Sequence, residues 1–247
     1  MASIKNIFKP RTDVNGDFFY GVKKIIVFRP RNIQLFVEAF THRSMNEKGE
    51  DGNAINYERM EFLGDAILST VIASHLYKKV PSGNEGYLTK MRSKVVSREH
   101  LNELGKDLNL LSLVRSAIPT NQFGENIHGN IFEALIGAIY LDRGYKYCEK
   151  FIYRRVIRPY VDIQKLEGKI ISYKSLFIEW CQKNKKPFKF NVYEDTGNEA
   201  LKHFAVKLKL EDEVVAKARA TSKKKAEESA AKRAYYKLRR EIDKEMV

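Results

Sequence analysis

Glu58, Glu61, Asp65 and Glu133 are the residues in this chain whose types and spacing could do chemistry. Residues 56–79, NYERMEFLGDAILSTVIASHLYKK, carry apolar side chains at spacings of three and four, as at Met60, Leu63, Ile67, Val71 and Leu76. That period predicts a long helix, ended by Pro81 and Gly83. At 100° per residue, Glu58, Glu61 and Asp65 fall within about 60° of arc, so their carboxylates point the same way. Like charges on one helix face cost stability unless a cation lies among them, and Arg59 or a basic residue elsewhere could serve. Glu133 interrupts a second apolar helix, GNIFEALIGAIYLDRGY at 129–145. Its neighbours Ile131, Phe132, Ala134, Leu135 and Ile136 imply burial, and Asn130 lies one turn earlier on the same face. A buried carboxylate is expensive unless it is paired or binds a metal. Two readings stay open on these residues alone. One is a set of ordinary surface and salt-bridge acids. The other is a site of hard oxygen ligands suited to Mg2+ or Mn2+ rather than zinc, where an ion could activate water and stabilise a phosphoryl transition state.

The elements that must hold these acids read as helices. Residues 1–17 read as a polar tail. From Phe18 the chain turns apolar, with Phe18, Val22, Ile25 and Ile26 near one face, and a short helix follows from Ile33 to Phe40. A polar loop at 46–54 precedes the acid-bearing helix. Further amphipathic helices are expected at 86–96, 98–107 and 146–162, so 18–163 is expected to be an all-α domain. QKLEGKII at 164–171 is the expected linker, with Gly168 its softest point. Then the pattern changes. A helix at 172–184 is followed by three alternating runs, FKFNVYED, HFAVKLKL and EVVAKARA, the last two joined by the acidic turn Glu211–Glu213. An Ala-rich basic helix at 222–240 completes a small α+β domain of order α-β-β-β-α at 172–240, and 241–247 is expected to be a tail. The fold expected is therefore multi-domain.

Composition limits the partners. The formal net charge is +14 and the pI about 9.6, which points to a polyanion, either nucleic acid or an acidic membrane surface. Residues 172–247 carry 19 Lys/Arg against 12 Asp/Glu, and residues 1–171 carry 26 against 19, so the shorter part is more than twice as basic per residue. Cys148 and Cys181 stand far apart, which disfavours a disulfide framework or a zinc site and fits a reducing compartment. The N-terminus lacks a signal-peptide pattern, and no apolar run reaches the roughly 18 residues of a membrane span. The expectation is a soluble, cytoplasmic protein that has no membrane partner.

ERMEFLGDAIL at 58–68 closely resembles the ribonuclease III signature, usually written ERLEFLGDAVL. FTHRS at 40–44, EGYLTKMRSKVVS at 85–97 and FEALIGAIYLDRGY at 132–145 resemble further blocks of that family, in order. The part after the linker resembles a double-stranded RNA-binding domain. The resemblance implies an all-α nuclease domain that forms a homodimer, with acids from both helices in each catalytic valley. It implies Mg2+-dependent cutting of double-stranded RNA (Mn2+ may substitute) to 5′-phosphate and 3′-hydroxyl ends with short 3′ overhangs. Precursors of ribosomal RNA, with some messenger and transfer RNA, are the implied substrates. Asp65 and Glu133 are implied as catalytic, with Asp65 orienting the attacking water. Glu61, Asp65, Asn130 and Glu133 are implied as metal ligands and Glu58 as accessory. The family usually has Asp where this chain has Asn130, which costs the site one negative charge and leaves open a reduced activity.

Duplex RNA is recognised mainly by shape, through phosphates and 2′-hydroxyls. Ser222, Lys223, Lys224 and Lys225 match the SKKxA block of the RNA-binding family, at a helix start where backbone N–H groups also attract phosphate. Glu179 and Gln182 fall at positions that face the minor groove in the family, with Ile178 where a Gln is often found. The loop at 196–203 has Ala200 where a His is usual and ends on His203. Arg92 and Lys94 could touch phosphates or form structural ion pairs. His42 and Trp180 are read as structural. The rivals are a non-catalytic duplex-RNA-binding relative, which would typically lose the acids, and a membrane-surface protein. A Dicer-like protein is disfavoured by the short chain and its one nuclease domain.

Overall fold

The structure is a computed structural model and describes residues 13–167, 170, 172–195 and 203–246. The chain divides into two compact units, Met1–Lys169 and Ile170–Val247. In the first, helices α1 (Asp13–Ile26), α2 (Ile33–Ala39), α3 (Glu58–Lys79), α4 (Glu85–Val95), α5 (Arg98–Asp107), α6 (Ile127–Arg143) and α7 (Tyr145–Ile152) surround one apolar core. The first helix starts five residues before the expected point. α6 lies at the centre: Ile131, Phe132, Leu135, Ile136 and Ile139 on it are fully buried. A helix apolar on nearly every side must be covered on nearly every side, and α2, α3, α5 and α7 all pack on it.

Local signals start these helices. Asn84 and Ser97 cap α4 and α5 by accepting from the amides of Tyr87 and His100. α2 has a long-range anchor as well. The Asp142 carboxylate, at the end of α6, accepts the amides of Arg31 and Asn32 at 2.6–3.1 Å. The expected helix at 146–162 is broken: α7 passes into a π-helical turn at Tyr153–Ile157 and then α8 (Arg158–Tyr160), where Pro159 lacks an amide proton to continue the ladder.

Two expectations change on this side of the molecule. Residues 164–167 are not loose linker but part of α9 (Ile163–Glu167), with Leu166 buried. Lys94 is the reason. It was a possible phosphate contact, but its side chain is buried and its ammonium donates to the carbonyls of Leu166 (2.6 Å) and Glu167 (2.9 Å). A lysine spent on the end of a packed helix is withdrawn from solvent and from RNA.

The second unit holds α10 (Tyr173–Lys183), a three-stranded antiparallel sheet in the order β1 (Phe188–Asp195), β2 (His203–Leu210), β3 (Glu213–Ala220), and α11 (Lys223–Met246). Alternation sends Val206, Leu208, Ala216 and Ala218 to one face. Ala226, Ala230 and Ala234, spaced by four, let α11 lie close on that face, and Phe177 and Trp180 of α10 complete the core. The expected tail at 241–247 is helical as far as Met246. It bends at Leu238, and Ile242 is 1% exposed in the core.

Candidate active site and nucleic-acid interface

α3 and α6 meet backbone to backbone. A Cβ on Gly64 would overlap the Glu133 carbonyl, and one on Gly137 would overlap the Met60 carbonyl. Only glycine permits so close an approach. The crossing sits among the acids: Gly64 stands between Glu61 and Asp65, and Gly137 one turn from Glu133. An open cavity of about 750 Å3 lies over it, lined by Glu58, Glu61, Asp65, Asn130 and Glu133 among others.

The acids differ in environment. Glu58 and Asp65 are exposed, while Glu61 and Asn130 are half-buried. Glu58 pairs with Arg43 at 3.6 Å, a solvent-screened contact. Burial pushes the Glu133 carboxyl up to about 8, with the charges of Asp65 and Glu61 adding and Arg98 opposing. Burial, then Glu58, raises Glu61, and Arg98 again opposes. The cation among the acids is therefore Arg98, the first residue of α5; Arg59 instead acts on Glu38 and Asp51. No pattern in the sequence marks Arg98, because it reaches the acids only through the fold. The Asn130 amide hydrogen-bonds the buried Tyr57 hydroxyl, a contact also invisible in the sequence. His42 is structural: it accepts the Ser44 amide at 3.2 Å and stacks on Phe123.

Among the described residues no three His, Cys, Asp or Glu side chains stand as a ready metal-ligand set. The donor chemistry still fits a hard divalent cation. The cavity gathers oxygen donors, and burial, with the charges of Asp65 and Glu61 adding, disfavours the ionised form of Glu133. A cation held by Glu61, Asp65 and Glu133, with Asn130 as a neutral oxygen donor, would compensate that charge.

In the second unit, Ser222 caps α11, its hydroxyl accepting the Lys225 amide at 3.3 Å. Lys223, Lys224 and Lys225 project from the first turn and are exposed. Glu179 and Gln182 are exposed one turn apart on α10, and Arg92 is half-buried near the end of α4. The side chain of His203 and the residues at 196–202 lie outside the described residues. Glu227 and Glu228, inside the basic helix, are structural. Glu227 pairs with Lys174 at 2.6 Å, and Glu228 accepts the Tyr173 amide at 2.6 Å and the Ser172 hydroxyl at 2.8 Å, tying α11 to the start of α10. Replacing both Lys223 and Lys224 by Ala is expected to weaken duplex-RNA binding equally across sequences. It should also flatten the log Kd against log salt slope by about two, read by filter binding from 50 to 200 mM salt. A sequence-dependent loss would refute phosphate contact.

A family profile described as ribonuclease-III-like matches residues 32–160, and one described as a double-stranded RNA binding motif matches residues 173–238. Proteins named Ribonuclease 3 are similar along almost the whole chain. That of Zunongwangia profunda is 66% identical over 98% of this chain and 100% of its own length. That of Flavobacterium psychrophilum is 62% identical over 98% and 99%. The nuclease domain of ribonuclease III from Campylobacter jejuni is similar in structure, with a TM-score of 0.50 at 26% identity, over 57% of this chain and 96% of that one. The paired helices with their facing acids, the α-β-β-β-α unit that follows them in sequence and these likenesses lead to one conclusion: the chain belongs to the ribonuclease III family of endoribonucleases and carries a double-stranded RNA-binding domain.

Proposed function

We propose that the protein is a divalent-metal-dependent endonuclease that hydrolyses both strands of duplex RNA as a homodimer. The observation that carries this is the convergence of Glu61, Asp65, Asn130 and Glu133 from two helices on one open cavity. Glu61, Asp65, Asn130 and Glu133 would hold Mg2+, or Mn2+ in its place. The ion, once bound, lowers the pKa of water and offsets charge developing on phosphate. Asp65, exposed on the cavity wall, accepts a hydrogen bond from the attacking water and aims it. Glu58 shapes the cavity edge through Arg43. Attack that expels the 3′ oxygen gives 5′-phosphate and 3′-hydroxyl ends, and staggered cuts leave short 3′ overhangs.

Dimerisation is supported by the Campylobacter jejuni nuclease domain, which has a region involved in dimer formation. Phe62, beside Glu61, is 81% exposed here, a large apolar side chain that a second copy would cover. Lys223, Lys224, Lys225, Glu179, Gln182 and His203 are proposed to grip the duplex, with Arg92 a further phosphate contact. No helix among the described residues is long and apolar enough to cross a membrane. The proposed substrates are structured precursors of ribosomal RNA, with some messenger and transfer RNA, in the cytoplasm.

The test is cleavage of an end-labelled RNA duplex in Mg2+, with and without chelator. Metal-dependent appearance of short duplexes whose 5′ ends ligate directly supports the reading. Binding without any cut refutes it and leaves an RNA-binding protein. Asn130→Asp is expected to keep cleavage and lower the Mg2+ needed for half-maximal rate, read by titration. A large loss of rate would show that Asn130 is not a ligand.

A further inference from the structure

The cavity poses a problem that its acids cannot solve. It is lined by Glu61, Asp65 and Glu133, and the ligand proposed for it is a phosphodiester, also an anion. Two arginines line the same cavity. Arg43 is committed to Glu58 at 3.6 Å. Arg98 differs: it is exposed, and among the described residues it makes no hydrogen bond or ion pair. Its position is fixed all the same. Ser97 caps the helix that Arg98 begins, its hydroxyl accepting the His100 amide at 3.4 Å. His100 is buried, with Nδ1 2.7 Å from the Val95 carbonyl. Gly105 on the same helix abuts the His128 carbonyl, where a Cβ would not fit. The root of Arg98 is thus held against the start of α6, which carries Asn130 and Glu133. Only its side chain is left to move.

Resting on the nuclease reading, we infer that Arg98 contacts a phosphate of the RNA strand lying in the cavity. A planar guanidinium presents two parallel donors that match two phosphate oxygens, which a lysine cannot do. Without RNA, Arg98 opposes the mutual repulsion of Glu61 and Glu133. On binding, it turns its donors to the phosphate and brings that anion towards the carboxylates. Asn130 fits the same scheme, since a site with one fewer formal negative charge repels the strand less.

A plain counter-charge role makes the opposite forecast. If Arg98 only offsets the acids, Arg98→Ala should tighten divalent-metal binding and leave RNA affinity alone. If it holds phosphate, Arg98→Ala should lower kcat/KM about tenfold or more and flatten the salt dependence of log(kcat/KM) by about one. Arg98→Lys should restore the salt slope but only part of the rate. The full-length chain, its Arg98→Ala and Arg98→Lys variants are to be assayed for cleavage in Mg2+. Duplex-RNA binding is then measured with Ca2+ as the cation, and melting by circular dichroism confirms that each variant folds. A flattened salt slope in the Ca2+ binding assay supports the inference even if no form cuts, in which case the nuclease reading alone falls. Cleavage by every form with unchanged slopes overturns the inference and leaves the nuclease reading intact. Unchanged RNA affinity with a lower metal requirement also overturns it and assigns Arg98 to charge balance.

Discussion

Glu133→Gln is expected to lower cleavage by at least about 10²-fold while making the metal-free protein more stable in alkali. The two effects have one cause. Burial, reinforced by Asp65 and Glu61, moves the Glu133 carboxyl from near 4.5 to about 8 in the folded chain. The folded state therefore binds a proton that the unfolded state has released. Its stabilising contribution is complete below about pH 4.5, declines as pH rises, and is lost above about 8. The cost of ionising Glu133 above pH 8 is of the order of a few kcal/mol. Glutamine has the same shape and no charge to bury. The variant should melt together with the parent at pH 5 and several degrees above it at pH 9, both in chelator. Mg2+ should raise the parent's melting temperature at pH 9 and do little for the variant. Identical melting at both pH values would show that Glu133 is not held in the environment described.

Gly64→Ala has the largest expected effect on folding. The added methyl would occupy the place of the Glu133 carbonyl and press on the Gly137 amide, both backbone groups of a buried helix that cannot turn aside. A loss of about 3 kcal/mol or more is expected, at the upper end of overpacking effects, from chemical denaturation. The crossing must open for the variant to fold at all, which spreads Glu61 and Asp65 from Glu133. Cleavage should then fall even at temperatures where the variant is folded. Gly86→Ala is the control. It adds a methyl on α4 with only the Asn84 side chain near, at 3.7 Å, and should be neutral or stabilising by about 0.5–1 kcal/mol. Equal effects from the two variants would remove the close crossing as the cause.

The helices that carry the acids and the three strands could be read from the chain because each follows a period that burial enforces. β1, β2 and β3 start and stop where the alternating runs do. The acids could be aligned on α3 because three- and four-residue spacings need no knowledge of neighbours. What could not be read depends on contacts between distant elements. Arg98 is 37 residues after Glu61 and acts on it only across the fold. Lys94 looks like any basic residue near the end of a helix until α9 offers it two carbonyls. Nothing in the sequence of the basic α11 marks Glu227 and Glu228 as the residues that fasten α10. Ile242 belongs to the second core only because the helix bends at Leu238. In each case the deciding partner is far away in sequence or depends on a change in backbone direction that composition does not announce.

The cap that Asp142 places on the Arg31 and Asn32 amides spans 110 and 111 residues. Arg143 adds a bond across the same gap, donating to the Arg29 carbonyl at 2.6 Å. During synthesis, at about 5–20 residues per second, the corner between α1 and α2 waits roughly 6–20 s for these partners to be made. Through that interval its amides can bond only to water, and α2, seven residues long, is too short to persist alone. The corner between α1 and α2 can therefore be fixed only after α6 has been made, although it is synthesised first.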